Sequence, residues 1–228
     1  HSDGMGFFPL ILAGSPAIMA DPQGKKWHDM IMGGQGAAAA IDIITNFGTG
    51  TISKAIMPLP GTPAYASAWQ DTIKAAEEAN DPGRFTAFIG YEWTSNTGGN
   101  NLHRNVIFRD NADKASKVEP YTTMKPLGSD NPVDLWKWMD AYQQFTGGRV
   151  LAIAHNGNLS NGLMFPTVEA FGKKLDVEYV TTRDKWERLY ETTQTKGTGE
   201  AHPYLSPNDE FANFEIWDKG NRDGSAAK

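Results

Sequence analysis

A chain of 228 residues, 39% of them hydrophobic and 21% charged, is long enough to bury a core and does not have the composition of a disordered protein. Its net charge of −6 argues against a general nucleic-acid binder, which would carry a basic face. With no cysteine, disulfide scaffolds, thiolate zinc sites and cysteine nucleophiles are all excluded, while cytoplasm and periplasm stay equally open.

In chain order, the opening His1-Ser2-Asp3-Gly4 has no initiator Met, so a signal segment can have preceded it. The first clear helix starts at Thr62-Pro63, a capping hydroxyl before a proline. Tyr65, Trp69, Ile73 and Ala76 recur at helical spacing, and Asp81-Pro82-Gly83 stops the segment. An apolar strand, Phe85 to Tyr91, follows, far short of the roughly 20 residues that span a bilayer. After the polar loop Thr94 to Asn101 comes a weaker strand, Val106 to Phe108. The second helix begins at Asp130-Asn131-Pro132, shows Leu135, Trp138, Met139 and Tyr142 on one face, and ends at Gly147-Gly148. It leads into the strand Val150 to Ala154 and the loop Asn156 to Gly162. A helix near Tyr179 to Trp186, a strand at Leu189-Tyr190, the loop Thr195 to Asp209 and a frayed tail from Gly220 complete the chain.

The apolar runs are unbroken rather than alternating, which predicts strands covered on both faces in a parallel sheet. Helices alternating with such strands predict repeated β/α units in one domain over residues 1–228. Trp69, Trp136, Trp138 and Trp186 fall on helical faces and belong to the core. No phosphate-binding glycine loop follows a strand.

The residues that can carry chemistry stand at strand ends. Glu92 follows Phe88-Ile89-Gly90-Tyr91, and His155 follows Leu151-Ala152-Ile153-Ala154. Carboxyl ends of parallel strands converge on one face, so a carboxylate and an imidazole delivered there can share a metal ion. His103 precedes the Val106 strand and can fold back onto the same face. Taken singly, each has a plainer alternative: a solvated or capping carboxylate, or a polar residue at a strand end.

Three motifs, Ile89-Gly90-Tyr91-Glu92, Leu102-His103-Arg104-Asn105-Val106-Ile107 and Ile153-Ala154-His155-Asn156, resemble successive motifs of the PHP (polymerase and histidinol phosphatase) superfamily. Longer strings are similar to the PHP-like bacterial family called domain of unknown function 3604: Gly90 to Ser95, Gly99 to Arg104, Ala154 to Gly162 and Ser206 to Phe211. That resemblance covers essentially the whole chain. It implies an α/β fold, a partial, distorted β/α barrel with long loops at the carboxyl face of its strands. The superfamily's His-x-His and Asp-x-His motifs are absent, so the resemblance implies a single incomplete domain lacking both terminal ligand sets.

The implied cofactors are divalent ions (zinc, manganese or iron), two or three in the complete protein, with His1, Glu92, His103 and His155 as ligands. The implied reaction is hydrolysis of a phosphate ester or related small anionic ester by metal-bound hydroxide. Asn101, Arg104 and Asn156 are the expected hydrogen-bonding partners of the substrate, and His202 the expected acid near the leaving group. With so few ligands, these 228 residues alone are expected to retain metal weakly and to turn over little. The alternative is a degenerate, non-catalytic member that binds a ligand or a protein in the same groove.

Overall fold

The computed structural model describes residues 2–217 together with 220 and 221. Four helices fill the first quarter: α1 (Phe7–Leu12), α2 (Pro16–Ala20), α3 (Pro22–Met32) and α4 (Gly36–Thr49). Helix α3 has a strong start, because the Asp21 carboxylate accepts from Gln23 N and Gly24 N ahead of Pro22. Helices α1 and α4 begin without any side-chain cap. Packing holds them instead, as Phe7, Ile11, Ile18, Trp27, Ile43 and Ile56 close a small core. Gly24 allows α2 and α3 to touch: a Cβ there would sit 2.8 Å from the Ile18 carbonyl oxygen.

The two helices read from their caps form as expected. In α5 (Pro63–Ala79) the Thr62 hydroxyl accepts from Tyr65 N at 3.4 Å. After the short β1 (Gly90–Trp93), β2 (Asn96–Thr97), β3 (Asn100–Asn101), β4 (Arg104–Phe108) and α6 (Ala112–Ala115) comes α7 (Pro132–Thr146). Its cap is the Asn131 side chain, accepting from Val133 N at 3.0 Å, and it stops at left-handed Gly147 with φ 65°. Then follow β5 (Val150–Ala154), β6 (Glu169–Ala170), β7 (Lys173–Lys174), α8 (Val177–Trp186), β8 (Leu189–Tyr190), β9 (Thr193–Gln194) and β10 (Gly197–Thr198).

One sheet organises the molecule, in the order β1-β4-β5-β8. Here the expectation of a parallel sheet needs correction. Strands β1 and β4 pair antiparallel, as do β4 and β5; only β5 and β8 are parallel. The link from Trp93 to Arg104 holds only the small β2–β3 hairpin, too little chain for a parallel crossover. The fold is therefore mixed α/β, and no closed barrel exists among the described residues.

Alternation across the sheet fixes two unlike faces. Tyr91, Trp93, Val106, Phe108, Ala152 and Ala154 are buried on one face, where Trp69 of α5 and Leu135, Trp136 and Met139 of α7 complete the main core. Glu92, Asn105, Ile153 and Leu189 share the other face. That face is not covered among the described residues: Leu151 and Leu189 are 39% and 56% exposed. The unbroken apolar runs thus mark strands buried on one side here, not on both. No helix among the described residues is long and apolar enough to cross a membrane.

Candidate metal centre

Glu92 is the third residue of β1, so alternation sends its carboxylate to the open face while Tyr91 and Trp93 go into the core. His103 immediately precedes β4 and His155 immediately follows β5. Because β4 runs opposite to both neighbours, its entry end lies beside their exit ends. The His155 backbone N–H donates to the His103 carbonyl at 3.1 Å, extending the ladder by one rung. The antiparallel arrangement that overturns the expected topology is what brings His103 to the other two.

Glu92 Oε1 lies 2.8 Å from His103 Nδ1 and 3.2 Å from His155 Nε2. One ligand atom from each of the three residues can be chosen with all three within 4.8 Å of one another. Both histidines are buried, and their rings meet edge to face at 5.6 Å. Burial would raise the pKa of Glu92, yet the two imidazole contacts outweigh it and hold the carboxylate well below its usual range. Burial also lowers His103, against the pull of Glu92, and so favours its neutral form. An anionic carboxylate beside neutral imidazole suits a borderline divalent cation.

One observation fits a cation at this point: His155 Nδ1 is buried with no hydrogen-bond partner. His103 Nε2 faces the Asn96 carbonyl oxygen at 3.1 Å, which can only accept, and Nδ1 faces the Asn156 amide nitrogen at 3.0 Å, which only donates. With the amides so oriented, Nδ1 carries the ring's one lone pair and shares it with the Asn156 N–H, so a cation taken there would displace that contact.

A polar scaffold stands behind the triad. Asn156 is buried with φ 68°, a left-handed conformation that asparagine tolerates, and its carbonyl accepts from Gln194 Nε2 at 2.6 Å. On the other side, Ser2 forms a parallel bridge with Glu92. Fully buried Asp3 locks that segment, accepting from Thr94 N, the Thr122 hydroxyl, and both Thr123 N and its hydroxyl. Burial raises the Asp3 pKa, partly offset by those bonds.

Glu92 and His103 open onto a cavity of about 280 Å³. Its polar end is lined by Glu92, Thr94, Asn96, Asn101, His103 and Lys196. Its opposite wall is Phe7, Phe8, Ile43, Ile44, Phe47 and Met57.

The other expected site residues are distributed as follows. Asn101 lines the cavity. Asn156 lies behind His103, outside the lining, where it orients the ring rather than meeting a ligand. Arg104 was expected to hold substrate, and here the structure corrects the expectation. It is the next residue after His103, so alternation turns it to the opposite face, where Nε meets Glu187 Oε1 at 2.9 Å with both side chains 1% exposed. His202 is exposed in a turn, with Nδ1 accepting from Tyr204 N, and does not line the cavity. His1 lies outside the described residues. Asn96 and Lys196 were not singled out from sequence. Both fall in the long loops flagged there, and only the fold shows which loop residues turn inward.

A mixed α/β domain with a half-buried carboxylate and two buried imidazoles gathered at one end of its sheet is the class of protein that fold and site define. The chain belongs to the family described as Protein of unknown function (DUF3604), whose model matches residues 1–228. No curated protein and no solved structure matches it.

Proposed function

We propose that this chain is a metal-dependent hydrolase domain of PHP type, acting on phosphate esters or related anionic esters. The observation that carries the proposal is the triad itself: Glu92 Oε1 within 2.8 and 3.2 Å of two buried imidazole nitrogens. Glu92, His103 and His155 would hold the ion. Bound there, a divalent ion would acidify a water toward neutral pH and offset charge on the ester.

The chain's own residues do the rest. The Asn96 carbonyl accepts from His103 Nε2 and fixes the ring plane, leaving Nδ1, which now accepts from Asn156, as the nitrogen that would take the ion. Asp3 clamps the N-terminal segment against the end of β1, which holds Glu92 in place through the Ser2 bridge. Lys196, not Arg104, is the cation in the cavity, and its charge is close enough to be felt at His103. Its positive charge suits an anionic ester group. Asn101 and Thr94 supply hydrogen-bonding groups at the same end.

The test is hydrolysis of 4-nitrophenyl phosphate and 4-nitrophenyl sulfate by the full-length protein loaded with Zn²⁺ or Mn²⁺. Glu92→Gln should lower bound metal and rate together while the thermal transition stays in place. A protein that binds the ions yet hydrolyses neither ester favours a non-catalytic binding role.

A further inference from the structure

The apolar wall of the cavity plays no part in holding an ion or an ester group. Phe7 and Ile43 already anchor α1 and α4 in the small core beneath. The residues beside them, Phe8 and Ile44, are nevertheless 48% and 45% exposed, and both line the cavity whose far end is Glu92, His103 and Lys196. Phe47 and Met57 extend the wall and, with Thr94 and Asn96, also border an adjoining hollow of about 680 Å³ that Lys54, Lys125 and Asp130 line as well. The apolar surface is thus the wall of the first cavity, opposite its charged residues.

We propose that the substrate is amphiphilic: an anionic ester of an apolar alcohol, aryl or short alkyl. The ester group would lie by Lys196 and the triad, with the alcohol along Phe8, Ile44, Phe47 and Met57. The proposal rests on the hydrolase reading above and narrows it. A polyhydroxy alcohol such as a sugar would lose water from its hydroxyls against side chains that offer no hydrogen bond, and such losses are strongly selective. An apolar alcohol loses nothing there and gains the burial. The first cavity lies near the lower limit of small-molecule sites, which run from about 300 Å³, so the apolar group it takes is small.

Calorimetric titration of the Mn²⁺-loaded full-length protein with the non-hydrolysable series methyl-, butyl-, hexyl- and phenylphosphonate tests this without turnover. A fully buried methylene is worth about a fourfold gain in affinity, so Kd should fall by about two- to fourfold per added carbon. Phenylphosphonate should bind at least tenfold tighter than methylphosphonate. Phe8→Ala and Ile44→Ala, at half-exposed positions, should flatten that slope. A Kd independent of chain length overturns the amphiphile while leaving the hydrolase reading intact. Failure of the whole series, methylphosphonate included, to bind the loaded protein removes the reading beneath it as well.

Discussion

Arg104→Met is the substitution in which position on the sheet matters most. The guanidinium donates through Nε to Glu187 Oε1 at 2.9 Å, through Nη2 to Oε2 at 3.4 Å, and through Nη1 to the Leu102 carbonyl. Removing one partner of a buried ion pair costs about 3–5 kcal/mol, because the other charge is left in a poor medium. Glu187 would still have Arg183 Nη2 at 3.1 Å and Trp136 Nε1 at 2.8 Å, so we expect the bottom of that range, about 3 kcal/mol. In a domain of this size each kcal/mol moves Tm by about 2–4 °C, which gives a fall of about 6–12 °C. Urea and thermal unfolding read the loss directly, and adding Glu187→Gln should deepen it, since Arg183 then loses the carboxylate that balances it. A loss below about 1 kcal/mol, accompanied by weakened phosphonate binding, would refute the argument and return Arg104 to the substrate.

Further outcomes follow from the same geometry. Asp3→Asn should destabilise by about 1–3 kcal/mol in urea unfolding, because either orientation of the new amide sets its NH₂ against a backbone N–H that now finds an acceptor, Thr94 or Thr123. A neutral effect would mean that the N-terminal segment is not held by this carboxylate. Asn96→Ala should weaken Zn²⁺ affinity by about 10–100-fold in competition with a chelating dye, the usual cost of losing the acceptor on a ligand's other nitrogen, here His103 Nε2. Burial works to raise the Glu187 pKa, but Arg104 and Arg183 outweigh it and leave it below its usual range. The stability this carboxylate contributes is therefore present above the unfolded value near pH 4.5 and is lost as pH falls through the lower folded value. Unfolding free energies measured from pH 3 to 7 should show an acid-side fall that shrinks in Arg104→Met; an identical fall in both would contradict it.

Those features of the fold written in local chemistry were legible. Thr62-Pro63 and Asn131-Pro132 predicted two helix starts, and Gly147 a stop, because a cap is a bond between near neighbours. Helices α1 and α4 were not, since neither has a side-chain cap and both depend on long-range packing around Phe7, Trp27 and Ile43. Strand direction escaped for a related reason: an apolar run such as Val150 to Ala154 does not say whether its second face is covered, and Leu151 is exposed. Glu92, His103 and His155 emerged from their places at strand ends and from the motifs around them. Arg104 and Asn156 were chosen because they stand next to ligands in the chain. In a strand, adjacency means opposite faces, so Arg104 points into the core. After β5 the left-handed backbone at Asn156 turns its amide behind His103. Asn96 and Lys196 enter the cavity from loops, where spacing carries no facing rule.

Everything proposed about chemistry depends on one cation shared by a carboxylate oxygen and two ring nitrogens. Anomalous diffraction at the zinc edge, from crystals equilibrated with Zn²⁺, tests that most directly. A peak should lie about 2.0–2.2 Å from Glu92, His103 and His155 together, and it should vanish in Glu92→Gln crystals. Zinc found only at surface carboxylates, with these three side chains still in mutual contact and no peak between them, would contradict the assignment.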